Sequence, residues 1–232
     1  MIVALDNGGV ETVKLSFSDE DTLENSFFYL ERCRSVQEHD DLITSLVSSP
    51  DKLITCSYDR SVVVLEKESL KLVTKINEAH DDLISNMAVN PGNFDLIGTA
   101  SNDGTVQLWD LRQCETSQSC KFHQIFFSNL TFFQAIFLLI LGIYDDVGLK
   151  PTCVQFVPSS EHHLLVGNEA GELQLYDIRK PKNCIVKNDM TEKAVSKIKF
   201  SPSLKNTFGV CSETSSLRVF TLDPTLSTLD IK

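Results

Sequence analysis

The chain has 232 residues, of which 42% are hydrophobic and 23% charged, and its formal net charge is −11. That size and balance suit a globular chain of one or two domains with a real core. The acid excess, with no Lys/Arg cluster, argues against binding along a nucleic-acid phosphate backbone and favours basic partners or plain solubility.

Read in chain order, residues 1–5 form a strand, and Asp6-Asn7-Gly8-Gly9 turns into the alternating Val10-Glu11-Thr12-Val13. The acidic stretch 19–24 reads as a solvated loop between strands. Period-2 alternation then predicts strands over 42–47, 52–57, 61–66 and 70–76, and again over 83–89, 94–100 and 105–110. Later strands are predicted over 152–157, 163–167, 172–177, 194–200, 206–211 and 216–221. Pro50, Pro91, Pro158 and Pro202 each follow the first strand of such a group, where a turn needs no ladder donor. Seven cysteines, an odd number without Cys-x-x-Cys, and an N-terminus lacking a secretory signal pattern fit a reducing compartment. His162-His163 has no cysteine pair beside it, and adjacent side chains on a strand face opposite ways, so no metal site is expected.

One cassette recurs along these strands. It is complete at Ser101-Asn102-Asp103-Gly104-Thr105-Val106-Gln107-Leu108-Trp109-Asp110, with Ala79-His80 ahead of it. A His turn, an Asp-Gly turn and a Trp-Asp strand end at this spacing make a WD repeat, one four-stranded blade of a β-propeller. Partial copies occur at Tyr58-Asp59-Arg60-Ser61, at Asn168-Glu169-Ala170-Gly171 and from Ser212 to Phe220. The spacing assigns a buried hydrogen-bond relay to His80, Ser101, Asp103 and Trp109. The preceding repeat supplies His39, Ser57 and Asp59, with Leu65 in the Trp position. A buried carboxylate must be hydrogen-bonded, which this set provides. Ser, His and Asp also compose hydrolytic triads, but a triad occurs once and is defined by geometry. This set recurs in register, so its role is structural, with no catalysis and no cofactor.

Residues 122–144 break the pattern. They hold six of the fourteen Phe and no charged residue. The length suits a bilayer span, but the segment contains Ser128, Asn129, Thr131 and Gln134 and lies between blades that must pack together. Asp59 and Asp103 are 44 residues apart, as are Ala170 and Thr214, whereas Asp103 and Ala170 are 67 apart. The excess of 23 equals the length of 122–144, which therefore reads as an insertion foreign to the repeat, of the kind left by a retained intron or a gene-model error. The expected layout is WD repeats over 1–121, the insertion, and further repeats over 145–232. The sequon Asn129-Leu130-Thr131 within it is accidental on this reading. The expected fold is all-β, an incomplete arc of a seven-bladed ring, since propellers close with four to eight blades and about four and a half are counted.

The repeat order resembles the WD-repeat subunit of the methylosome, on Gly8-Gly9-Val10-Glu11, Glu38-His39-Asp40-Asp41, Leu108-Trp109-Asp110-Leu111-Arg112, Gly167-Asn168-Glu169-Ala170-Gly171 and the run from Val195 to Pro202. That resemblance implies a non-catalytic scaffold of cytoplasm and nucleus. It would bind a protein arginine methyltransferase and present basic substrates such as histones and Sm proteins, with no direct contact to nucleic acid or membrane. An alternative rests on Arg112 and Arg179, each two residues after the Asp of a strand end. They resemble the Trp-Asp-x-Arg box by which substrate receptors grip the adaptor of cullin-4 ubiquitin ligases, and they are the candidate partner-binding residues.

Overall fold

The structure, a computed structural model, describes residues 1–17, 28–114, 122–126, 149–180, 184–189, 193–204, 206–214, 216–223 and 229–231. Among the described residues there are five antiparallel sheets, and the chain divides into two compact units, Met1–Ala79 and His80–Lys232.

In the first unit, β1 (Ile2–Ala4), β2 (Gly9–Phe17) and β3 (Phe28–Gln37) form a three-stranded meander. A four-stranded one follows: β4 (Ile43–Ser48), β5 (Lys52–Ser57), β6 (Val62–Glu66) and β7 (Leu72–Ile76). Val10, Ile43, Leu53, Val63 and Leu65 bury together to form its core. The turn before β2 needs the left-handed region at Gly8, φ +85°, and an added Cβ there would lie 2.2 Å from the His39 carbonyl oxygen. Only glycine fits that turn.

The second unit stacks three sheets. The first is β8 (Ile84–Asn90), β9 (Asn93–Ser101), β10 (Thr105–Asp110) and β11 (Phe122–Phe126), with a single helical turn, α1 (Leu111–Cys114), between the last two. The second is β12 (Pro151–Phe156), β13 (His163–Asn168), β14 (Glu172–Asp177) and β15 (Cys184–Asp189). The third is β16 (Val195–Phe200), β17 (Thr207–Ser212), β18 (Leu217–Leu222) and β19 (Leu229–Ile231). In each, strand order follows the chain, the meander of a propeller blade. Ala88, Val106 and Leu108 pack on Phe156 and Leu164 in one seam. Cys153, Leu165 and Leu175 pack on Ile198, Phe208 and Phe220 in the next. Gly167 lies in that second seam, where an added Cβ would meet Val195 Cγ1 at 2.7 Å.

One boundary differs from the sequence reading. Residues 122–126, assigned to the foreign insertion, are the fourth strand of their blade and pair with β10 from Thr105↔Phe126 to Leu108↔Phe122. The outer edge of β10 carries backbone donors and acceptors that need a partner strand, and this segment supplies them. The rest of 122–144, its sequon included, lies outside the described residues.

Candidate functional site

The relay of the β8–β11 blade runs from strand to turn. Trp109 Nε1 donates to Thr99 Oγ1 at 2.8 Å, and Thr99 Oγ1 lies 2.7 Å from His80 Nε2. His80 Nδ1 is 2.9 Å from Asp103 Oδ2. A neutral imidazole with its proton on Nδ1 satisfies every link, accepting from the Thr99 hydroxyl and donating to the carboxylate. Asp103 also accepts from the Asp81 and Thr105 amides at 3.1 and 2.9 Å and from the Thr105 hydroxyl at 2.6 Å. Burial pushes its carboxyl up, but the bonds from His80 and Thr105 outweigh that and hold it at about 2.

The β4–β7 blade repeats this without the indole. His39 Nε2 meets Thr55 Oγ1 at 2.9 Å, and Nδ1 meets Asp59 Oδ2 at 3.0 Å and Ser61 Oγ at 2.8 Å. Burial lowers the His39 pKa, outweighing the pull of Asp59. For Asp59, burial raises the carboxyl, while bonds from Ser61 and from the Asp40 amide bring it down to about 2. Leu65, fully buried, fills the Trp position.

The structure brings His80, Asp103 and Trp109 together, and His39 with Asp59, but not through Ser57 or Ser101. Those hydroxyls sit one turn away. Ser101 Oγ donates to the Asp82 carbonyl at 3.0 Å and accepts from the Asp103 amide at 3.2 Å, and Ser57 does the same with Asp41 and Asp59. The hydroxyl linking imidazole and indole belongs to Thr99. It faces Gln107 across the ladder, within diagonal reach of Trp109. Register counted from the Asp-Gly turn would have found it, because Ser101 stands too close to that turn.

A second recurring hydroxyl was also missed. Thr44, Ser85, Thr152 and Ser196 each occupy a β-bulge in the first strand of their sheet. Each donates to a carbonyl of the second strand, namely Cys56, Ala100, Gly167 and Cys211. The bulge leaves one residue unpaired and aims its side chain at that carbonyl.

Arg112 and Arg179 sit at equivalent strand ends, and each closes on the aspartate two residues before it. Arg112 Nε and Nη2 reach Asp110 at 2.9 and 2.5 Å, and those of Arg179 reach Asp177 at 2.9 and 2.7 Å. Hydrogen bonds from Arg179 are the main cause holding Asp177 at about 2. Both guanidinium groups are well exposed, so each is oriented while still open to a partner. No cluster of His, Cys, Asp and Glu among the described residues could hold a metal ion. No helix among them is long and apolar enough to cross a membrane.

These sheets and relays define a WD-repeat β-propeller. Residues 41–229 match the family described as nucleolar protein 10-like, N-terminal domain, and the chain belongs to that family. WD repeat-containing protein 55 of Danio rerio is 29% identical over 113 residues, 49% of this chain and 27% of that protein. Its homolog in Drosophila ananassae is 37% identical over 81 residues, 34% of this chain and 16% of that protein. The chain thus matches well under half the length of these curated relatives. The β-propeller domain of Cps50 (Swd1) from Myceliophteria thermophila superposes with a TM-score of 0.74 at 14% identity, covering 99% of this chain and 66% of that one, a likeness of fold alone.

The family match overturns the resemblance to the methylosome subunit, and with it the assignment to arginine methylation. The physical reason lies in the motifs that suggested it. Glu38-His39-Asp40-Asp41 and Leu108-Trp109-Asp110 build turns and relays that hold a blade closed, so they mark WD repeats generally and not one subunit.

Proposed function

We propose that this chain is a non-catalytic, protein-binding propeller that works within a nucleolar assembly. The observation that carries the non-catalytic part is the closure of the relays. The side chains of His39 and His80 are 0% exposed and both ring nitrogens of each are engaged within the blade, so neither imidazole is open to a substrate. No catalytic family is indicated by the comparisons, and the nucleolar setting rests on the description of the matched family. The test is imaging of the tagged gene product at native expression, with purification of what accompanies it. Concentration in the nucleolus together with nucleolar proteins is the expected result. Exclusion from the nucleolus overturns the setting. Turnover of esters or peptides that is lost in a folded His80→Ala variant overturns the non-catalytic reading.

A second reading keeps Arg112 and Arg179 as the grip for a cullin-4 ligase adaptor. It is favoured by their paired orientation on Asp110 and Asp177 at equivalent places in adjacent blades. Pull-down of the adaptor by the wild type, lost with Arg112→Ala and Arg179→Ala combined, is the outcome it requires. Unchanged or absent pull-down removes it.

A further inference from the structure

Four of the sheets share an irregularity in the strand that ends them. β3, β7, β11 and β15 each close one end of a sheet, and among the described residues no further strand pairs with them. In β7, Thr74 faces Val64 and Leu72 faces Leu65, which leaves Val73 without an opposite residue. Ile185 of β15 is skipped in the same way between Val186↔Leu175 and Cys184↔Tyr176, and Cys33 of β3 between Arg34↔Thr12 and Arg32↔Val13. In β11 the skipped residue is His123, between Gln124↔Gln107 and Phe122↔Leu108.

The bulges keep one height in their blades. Each preceding turn has a residue in the left-handed region, Gly8, Arg60, Gly104 or Gly171. In three sheets the skip stands just before the fifth residue past that turn, namely Val13, Leu65 or Tyr176, and in the fourth it comes one residue earlier. The skipped residues share no chemistry, being a thiol, two branched aliphatics and an imidazole, so the backbone is what recurs. These strands need blunting. Leu72 and Val73 are 40% and 42% exposed and Ile185 is 43% exposed, apolar residues on segments of high strand preference. Unpaired main-chain donors and acceptors along such an edge are a template for another strand. A bulge breaks their even spacing and increases the local twist. Lys75 and Lys187 stand two residues past the bulges of β7 and β15, bonded to the Glu38 carbonyl and to Glu172. Lysines therefore flank only two of the bulges, whereas the bulge itself is common to all four strands.

We propose that the recurring bulge is an edge guard, which keeps these end strands from pairing with the end strand of a second copy of this chain. Strand addition is closed off by the same device, so a protein partner is met by turns and sheet faces and not by an added strand. The guard is independent of the nucleolar setting proposed above and of any grip by Arg112 and Arg179.

The test removes the bulge and leaves the ladder intact. Deleting Val73 from the purified gene product brings Leu72 and Thr74 together while each keeps its partner, Leu65 or Val64, and deleting Ile185 does the same in β15. Sedimentation over a range of concentrations is the readout, with urea unfolding as the check that the fold is kept. Self-association at least about tenfold tighter than that of the wild type is expected from a deletion that still unfolds cooperatively. Adding Leu72→Lys to the Val73 deletion puts a charge on the straightened edge and should return association to the wild-type level. Association no tighter than wild type in a folded deletion variant overturns the proposal, as does tightening that survives Leu72→Lys. Loss of cooperative unfolding in both deletions overturns it too, because the bulges would then serve the twist of their own blades and not the edge.

Discussion

The β8–β11 and β12–β15 sheets share a backbone meander, a Gly turn in the left-handed region (Gly104 and Gly171) and a bulge in the first strand, yet their interiors are wired differently. In the first, indole, hydroxyl, imidazole and carboxylate form a line. In the second, Tyr176 stands where Trp109 does and Val166 where Thr99 does, so the tyrosine hydroxyl has no cross-strand hydroxyl to meet. It donates instead to Gln174 Oε1 at 2.6 Å, and Gln174 Nε2 donates to Glu172 Oε2 at 2.9 Å. Glu172 also takes Asn168 Nδ2 at 2.8 Å and Lys187 Nζ at 2.7 Å. Burial raises the Glu172 carboxyl, but Lys187, Asn168 and Gln174 together leave it lower than usual. The contrast separates two requirements. Strand alternation and the turn fix the blade, while the buried polar set is replaceable so long as each member finds a partner.

The largest effect is expected at Trp109, 1% exposed. Trp109→Ala removes the biggest buried side chain and the donor to Thr99, and should cost about 3–5 kcal/mol in urea unfolding. A loss below about 1 kcal/mol would mean that the indole is dispensable to its blade. Asp103→Ala comes next. It leaves His80 Nδ1 and the Asp81 and Thr105 amides without their acceptor, at about 2–3 kcal/mol. Alanine already occupies the equivalent place as Ala170, tolerated because Asn168 Oδ1 takes the Ala170 and Glu172 amides at 3.1 and 3.0 Å. Adding Ser101→Asn to Asp103→Ala should therefore recover part of the loss, and failure to recover any breaks the idea of interchangeable wiring.

Acid extends the contrast to the β4–β7 blade, whose relay carries an imidazole, His39, where the β12–β15 network carries none. The folded-state pKa of His39 is lowered, so the unfolded chain binds its proton first. Stability is then complete above the unfolded value of roughly 6.5 and falls as pH drops below it. The carboxyls of Asp59 and Asp103, held at about 2 against 3.8, add a second loss as pH falls from the unfolded value toward the folded one. Urea midpoints between pH 4 and 8 should decline below about 6.5, and His39→Gln should flatten that limb while lowering the whole curve. An unchanged slope in the variant would detach the decline from this histidine.

Much of this was legible in the residues. Strands expected over 105–110 and 172–177 match β10 and β14 residue for residue, because alternation there starts directly after the sharp turns at Gly104 and Gly171. The outer strands β11 and β15 were not anticipated. Cys184–Asp189 lies at an exposed edge and so shows little of the alternation that burial of one face imposes. The first of these, Phe122–Phe126, sets its polar residues His123 and Gln124 side by side, which breaks period 2. Thr99 was passed over for Ser101 because both lie on one face of β9, two residues apart, and parity alone does not choose between them.

The smallest effect tests the substitute network directly. Tyr176→Phe keeps the ring in its seam with Phe156 and Leu164 but removes the donor to Gln174. Gln174 Oε1 then loses one bond while Glu172 keeps Asn168 and Lys187, so the loss should be about 1 kcal/mol in urea unfolding. Trp109→Phe removes a comparable donor, but that donor is the indole's link through Thr99 to His80 Nε2, and ring volume is lost as well, so it should cost more. Equal costs for the two phenylalanine variants would show that the hydroxyl of Tyr176 anchors its blade as firmly as the indole of Trp109 does. The two interiors would then be equivalent in strength as well as in satisfaction.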